Sequence, residues 1–155
     1  MLRRLGVWIA TGAFVGYAPI APGTFGSALG LGVFLLVRSS QSPAVEGITL
    51  AVFAVAGVWS ATEAERHFGR TDPGYIVIDE VVGMLVTLAF VPVNAAGLLA
   101  AFLLFRLFDI VKPWPARQFE RMHGGLGVVL DDAMAGLYGN VVMRGLVYLL
   151  PGLLT

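Results

Sequence analysis

The chain reads as an all-α protein, a compact helical membrane domain with about five apolar helices and one polar face that carries its chemistry. Three observations lead there. Of 155 residues, 57% are hydrophobic and 13% charged, about half the charged fraction of ordinary soluble domains. Apolar segments recur at about 24–38, 44–61, 81–92, 95–108 and 133–150. Nearly every charged residue falls in the connections at one end of the hairpins these segments would form. A length of 155 residues suits one domain, residues 1–155.

The same composition removes whole classes of function. Formal net charge is zero, which argues against a nucleic-acid partner, because binding a phosphate backbone takes clustered excess Lys and Arg. There is no cysteine, so disulfides, thiolate metal sites and cysteine nucleophiles are excluded.

Taken in order, the N-terminal "MLRRLGVWIATGAF" places basic residues before an apolar stretch, as a signal peptide does. The Gly- and Pro-rich run that follows looks functional, so the segment reads as retained, an amphipathic helix with Trp8 at the headgroup level. "GYAPIAPGTFGSALG" at 16–30 is a Pro/Gly loop leading into the first apolar helix. "RSSQSP" at 38–43 and "VPVN" at 91–94 are tight turns, and Pro113 and Pro115 stop a helix just after Lys112. Trp59, Trp114 and Tyr75 suit interfacial anchoring, and Glu46, early in the second segment, reaches toward the interface. Five crossings would put residues 1–23, 62–80 and 109–132 on one side, with Arg3, Arg4, Arg66, Arg70, Lys112, Arg117 and Arg121. The positive-inside rule makes that side cytoplasmic. Several segments are shorter than the roughly 20 residues of a spanning helix, so a soluble bundle with the same hairpins and polar face is the alternative.

Two acidic pairs stand out. Asp79–Glu80 in "TDPGYIVIDEVVGM" and Asp131–Asp132 in "GGLGVVLDDAMAG" each precede an apolar run. Acids in a first turn can simply cap free N–H groups and complement the helix dipole. One acid per helix would do that. Two adjacent acids, twice, ask for a stronger counter-charge, which a divalent cation supplies. Gly124, Gly125 and Gly127 would free the backbone for a tight turn before the second pair, and Ala135 and Gly136 leave room one turn on for a close neighbour.

In "FRLFDIVKPWP" at 105–115, Arg106, Asp109 and Lys112 are spaced i, i+3, i+6 along one helical ridge. This is either an ion-pair ladder or part of a site for both a metal and an anion, since Asp takes Mg²⁺ and Lys and Arg take phosphate. Gly23, Thr24, Gly26 and Ser27 would offer N–H and hydroxyl groups to an anion at a helix N-terminus, or form an ordinary turn. "ATEAERHFG" at 61–69 and "ARQFERMHGG" at 116–125 echo each other, which suggests two similar hairpins facing across a shared site. His67 and His123 lie beside glycines in polar linkers and read as surface residues.

Carboxylates, cations and an anion loop at a membrane surface fit Mg²⁺-assisted phosphoryl transfer or hydrolysis of a lipid headgroup. Without a cysteine loop, an Asp-x-Asp nucleophile or an Arg-His-Gly signature, water is the expected attacker. A carboxylate-lined cation transporter and a non-catalytic membrane protein are the alternatives, the former calling for acids near mid-span.

"APGTFGS", "DPGYIVIDEVVGM", "FRLFDIVKPWPAR" and "HGGLGVVLDDAMAGLYGN" resemble, in order, the signature stretches of the phosphatidylglycerophosphatase A family. The resemblance implies a Mg²⁺-dependent, multi-pass phosphatase of the bacterial inner membrane that converts phosphatidylglycerophosphate to phosphatidylglycerol. Its pattern falls on Asp79, Glu80, Asp109, Lys112, Asp131 and Asp132, with Thr24 and Arg106 in support. No feature of the sequence encodes an oligomeric state.

Overall fold

The computed structural model describes residues 1–119 and 122–155. Glu120 and Arg121 lie outside the described residues, and with them part of the second "Glu-Arg" echo and one of the charges assigned to the polar face. All regular structure among the described residues is helical: α1 Leu2–Ala10, α2 Pro22–Arg38, α3 Pro43–Phe68, α4 Ile78–Leu88, α5 Ala95–Val111, α6 Ala116–Phe119, α7 Gly125–Leu149 and α8 Pro151–Leu154, with one 3₁₀ turn at Val15–Tyr17.

Local chemistry sets the helix ends. Pro22 and Pro43 open α2 and α3, where the missing N–H has no intrahelical partner to lose. Ser42 Oγ accepts from the Val45 N–H at 3.4 Å, Asn94 Oδ1 accepts from the Gly97 N–H at 3.0 Å, and α3 stops at Gly69 in the left-handed region.

The hairpins place their turns at opposite ends of the bundle. At one end the Arg38 guanidinium donates to the Val91 carbonyl at 3.1 Å, and Glu46 accepts from the Phe90 N–H at 2.6 Å. The other end gathers the start of α2, the end of α3, the starts of α4 and α7 and the end of α5, as Arg106–Ser27, Gly125–Thr62 and Lys112–Asp131 contacts record.

At the centre, α4 and α7 run parallel. Nine of the eleven α4 residues are buried. Small residues let the two backbones approach. A Cβ on Gly136 would strike the Gly83 carbonyl, and one on Gly83 would strike the Phe105 ring and the Asp132 carbonyl. Below that crossing, Asn140 Nδ2 donates to the carbonyls of Val86, Thr87 and Ala89 at 3.0, 3.1 and 3.0 Å. Arg144 adds a bond to Ala89 at 3.1 Å. These donors meet the carbonyls left over at the α4 C-terminus.

The outer faces are apolar. Ile48, Val52 and Val55 on α3 and Leu99, Leu103, Leu107 and Ile110 on α5 are all exposed, the reverse of a water-facing helix surface. The expectation of five spanning helices narrows, however. Among the described residues, two helices, Pro43–Phe68 and Gly125–Leu149, are long and apolar enough to cross a membrane by length and composition. The reason is rise per residue: the 11 residues of α4 make about 16 Å of helix against a hydrocarbon core of about 30 Å.

Close α4–α7 contact predicts an asymmetric response to glycine substitution. Gly136→Val should destabilise the protein by roughly 1–3 kcal/mol or more, because the obstacle is backbone. Gly145→Ala on the same helix, where a Cβ meets nothing within 4 Å, should be neutral or slightly stabilising. Thermal unfolding of both variants in detergent checks this.

Candidate active site

Asp79 and Glu80 occupy the first turn of α4, whose N-cap is Val77. The Val77 N–H donates to the Ala10 carbonyl at 2.9 Å, tying the helix start to α1. Asp131 and Asp132 are placed differently from the sequence expectation. α7 begins at Gly125 and carries no acid in its first turn, so this pair lies two turns inside the helix and cannot cap it. Gly125 and Gly127 are helical, and they serve close approach. A Cβ on Gly125 would meet the Val58 carbonyl of α3, and one on Gly127 the Met122 carbonyl; the Gly125 N–H donates to Thr62 Oγ1 at 3.0 Å. Gly124, at φ +86°, keeps the turn.

The α4–α7 crossing brings the pairs together. Asp79, Glu80 and Asp132 each offer a carboxylate oxygen, and these atoms lie within 4.8 Å of one another. Asp79 is buried, and Asp131 and Asp132 are each 3% exposed. Three carboxylate oxygens, Asp79 Oδ1, Glu80 Oε2 and Asp132 Oδ2, are buried without a hydrogen-bond partner. Unpaired buried acceptors are costly, and acceptors converging from two helices are what a divalent cation takes as ligands. The group could therefore hold a metal ion.

Burial, then the Glu80 and Asp132 charges, push the Asp79 carboxyl well above the ordinary carboxylate range. Burial also raises Glu80, with the Asp109 charge adding to it and the nearby Arg106 guanidinium opposing it.

The other two acids named from the sequence turn to cations. Asp131 Oδ2 pairs with Lys112 Nζ at 2.6 Å, and Asp109 Oδ2 with Arg106 Nη1 at 2.6 Å. Asp109 still flanks the cluster, since its charge acts on both Glu80 and Asp132. The structure thus divides five carboxylates into three that face one another and two that each hold a cation beside them.

The "GTFGS" stretch borders the same site, but as helix. α2 starts at Pro22, so Gly26 and Ser27 lie in its second turn, where N–H groups belong to the helical ladder. Gly23 abuts Glu80 and the Arg106 guanidinium, where a side chain would collide. Ser27 Oγ donates to the Gly23 carbonyl at 2.8 Å and accepts from Arg106 Nη1 at 3.4 Å. The Thr24 N–H bonds the Ala21 carbonyl at 2.9 Å, and its side chain is exposed. His67 and His123 are exposed. Of the two echoing stretches, 61–68 end the 26-residue α3 and 116–119 form α6, and the acidic pairs that follow them do face each other.

One residue escaped the sequence reading. Asp72 sits close enough for its charge to act on both Asp79 and Asp131. The signal was its Asp-Pro-Gly turn just upstream of the first acidic pair.

With this geometry in place, comparison decides the family. The family model Phosphatidylglycerophosphatase A matches residues 8–147. The chain belongs to the phosphatidylglycerophosphatase A family. It is 35% identical over 142 residues to "Phosphatidylglycerophosphatase A" of Escherichia coli K12, covering 90% of this chain and 80% of that protein. Against the protein of the same name from Haemophilus influenzae it is 38% identical over 144 residues, covering 90% and 87%. A "Putative phosphatidylinositol-3-phosphatase" of Bacteroides thetaiotaomicron is 38% identical over 146 residues, covering 90% and 91%. No solved structure matches the chain. Membership makes the protein one of a family of phosphatases, hydrolases of phosphoric monoesters.

The raised Asp79 pKa carries a linkage prediction. A carboxyl with a higher pKa folded than unfolded keeps a proton that the unfolded chain releases, so metal-free stability falls as pH rises from the ordinary carboxylate range toward that raised value. A cation that replaces the proton should reverse the trend. Metal-free protein should melt at a lower temperature at pH 8 than at pH 5, and Mg²⁺ should raise the midpoint more at pH 8. Asp79→Asn should flatten both effects in calorimetry.

Proposed function

We propose that the protein hydrolyses the terminal phosphate of phosphatidylglycerophosphate to give phosphatidylglycerol, using Mg²⁺ held by Asp79, Glu80 and Asp132, with Asp109 and Asp131 at the edge of the same site. The observation that carries the reading is the set of three unpartnered, buried carboxylate oxygens bordered by Arg106 and Lys112. Family membership and the names of the Escherichia coli and Haemophilus influenzae relatives supply the substrate.

When bound, the ion supplies positive charge for a phosphoryl oxygen and lowers the pKa of water. The chain's own residues do the rest. Arg106 and Lys112 present guanidinium and ammonium groups beside the acids, where they hold the phosphate and take up charge that develops on its oxygens. Gly23, lacking a side chain, leaves the Arg106 guanidinium open to the anion, Thr24 lies exposed beside it on α2, and the buried Ser27 hydroxyl helps hold Arg106. Asp109 and Asp131 fix the two cations through their 2.6 Å pairs. The chain has no cysteine, which supports direct attack by water: a new O–P bond forms, the ester P–O bond breaks, and the lipid alcohol and inorganic phosphate leave.

The site sits at a membrane surface in this reading. α3 and α7 insert, exposed apolar stripes face lipid, and the charged end faces the cytoplasm by the positive-inside rule. Against a cation path stands the packing below the acids, where α4 and α7 close on Gly83, Gly136 and Gly139.

Purified protein in detergent should release phosphate from phosphatidylglycerophosphate with Mg²⁺ and lose that activity with a chelator. Asp79→Asn and Asp132→Asn should each lower kcat at least about 100-fold, the scale expected when a metal-holding or charge-stabilising group leaves a phosphoryl site. Full activity in either variant would overturn the assignment.

A further inference from the structure

We infer that a cavity beside the acid cluster is a second anion subsite, which holds the phosphodiester of the lipid headgroup while the terminal phosphate lies at the carboxylates. The inference rests on the lipid-phosphatase reading above. The cavity, of about 420 Å³, is lined by Val111, Lys112, Pro113, Trp114, Arg117 and Gln118, in the size range of ligand pockets. Among its described lining residues two are cations and none is an acid.

Lys112 joins the two sites. It ends α5 in the left-handed region, at φ +44°, so the chain turns there toward α6. Its stem lines the cavity while its ammonium reaches Asp131, next to Asp132. Lys112 is therefore common to the cavity and to the edge of the carboxylate group. Arg117 occupies an exposed position on α6 and supplies the cavity with a planar fork of donors suited to two phosphate oxygens. Trp114, 76% exposed, adds an indole of the kind that settles at the headgroup level.

Substrate chemistry matches a two-pocket arrangement. Any diacyl phospholipid whose headgroup alcohol is itself phosphorylated also carries a phosphodiester between that alcohol and diacylglycerol. In phosphatidylglycerophosphate the two phosphates stand one glycerol apart. A pocket for the diester would select lipid monoesters over soluble ones while leaving the reacting phosphate to the acids, Arg106 and Lys112.

The test uses mixed micelles in uncharged detergent, so that the substrate is the single anionic lipid. Arg117→Gln should raise KM for phosphatidylglycerophosphate about tenfold, leave kcat within about twofold and keep the same melting temperature, with Arg117→Lys in between. The inhibition constant of inorganic phosphate, which competes at the carboxylates, should not change. An unchanged KM in Arg117→Gln would overturn the subsite, as would an equal weakening of phosphate inhibition, which would put Arg117 at the terminal phosphate. Wild-type protein that releases no phosphate would instead overturn the lipid-phosphatase reading itself.

Discussion

Repulsion among three facing carboxylates, two of them buried and Glu80 half-buried, is the constraint around which this molecule is built. Asp79, Glu80 and Asp132 bring oxygens within 4.8 Å of one another, in a chain whose charged residues are scarce. Two unit charges about 4 Å apart repel by roughly 4 kcal/mol at an effective dielectric of about 20. Whole domains are stable by only about 5–15 kcal/mol. The cluster therefore cannot stay fully ionised and unaccompanied. Either protons remain on it, as the raised Asp79 and Glu80 carboxyls indicate, or a cation replaces them.

The neighbouring cations do not simply quench that charge. Lys112 and Arg106 each lie close enough to neutralise the cluster, yet each is held by its own carboxylate, Asp131 or Asp109. A pair of this kind is formally neutral, so it offsets the charge of the three facing acids only in part, as the pull of Arg106 on Glu80 records. The same pairing fixes the ammonium and guanidinium at the rim of the cluster. The two acids outside the cluster thus hold Lys112 and Arg106 in place at its edge.

Much of this was legible in the sequence, and the exceptions have physical reasons. The five apolar segments correspond to α2, α3, α4, α5 and α7, because hydrophobic runs broken by Pro and Gly report helices directly. The Arg106–Asp109 pair follows from i, i+3 spacing on one helix. The Lys112–Asp131 pair does not, because it joins residues 19 apart across a turn. The start of α7 was misplaced for a related reason. "GGLG" looks like a loop by propensity, but contact with the α3 backbone at Val58 makes a glycine-rich first turn favourable there. Five apolar segments narrow to two candidate spans because hydropathy measures apolarity, whereas spanning also requires length; α4 satisfies the first alone.

The short central helix explains why α7 carries more than its share of the site. An 11-residue helix has little intrinsic stability, and most of its backbone groups near the ends need partners from elsewhere. α7 meets α4 at three levels: Asp132 opposite the Asp79–Glu80 turn, Gly136 against Gly83, and Asn140 with Arg144 on the last carbonyls. The α7 residues at these levels follow each other at intervals of four, so they lie on one face of the helix. A slip of one turn would break all three contacts at once: the glycines would no longer face each other, the terminal carbonyls would lose their donors, and the acids would separate. The packing that stabilises α4 is therefore the same packing that sets the spacing of the carboxylates, so that spacing cannot relax without loss of the fold.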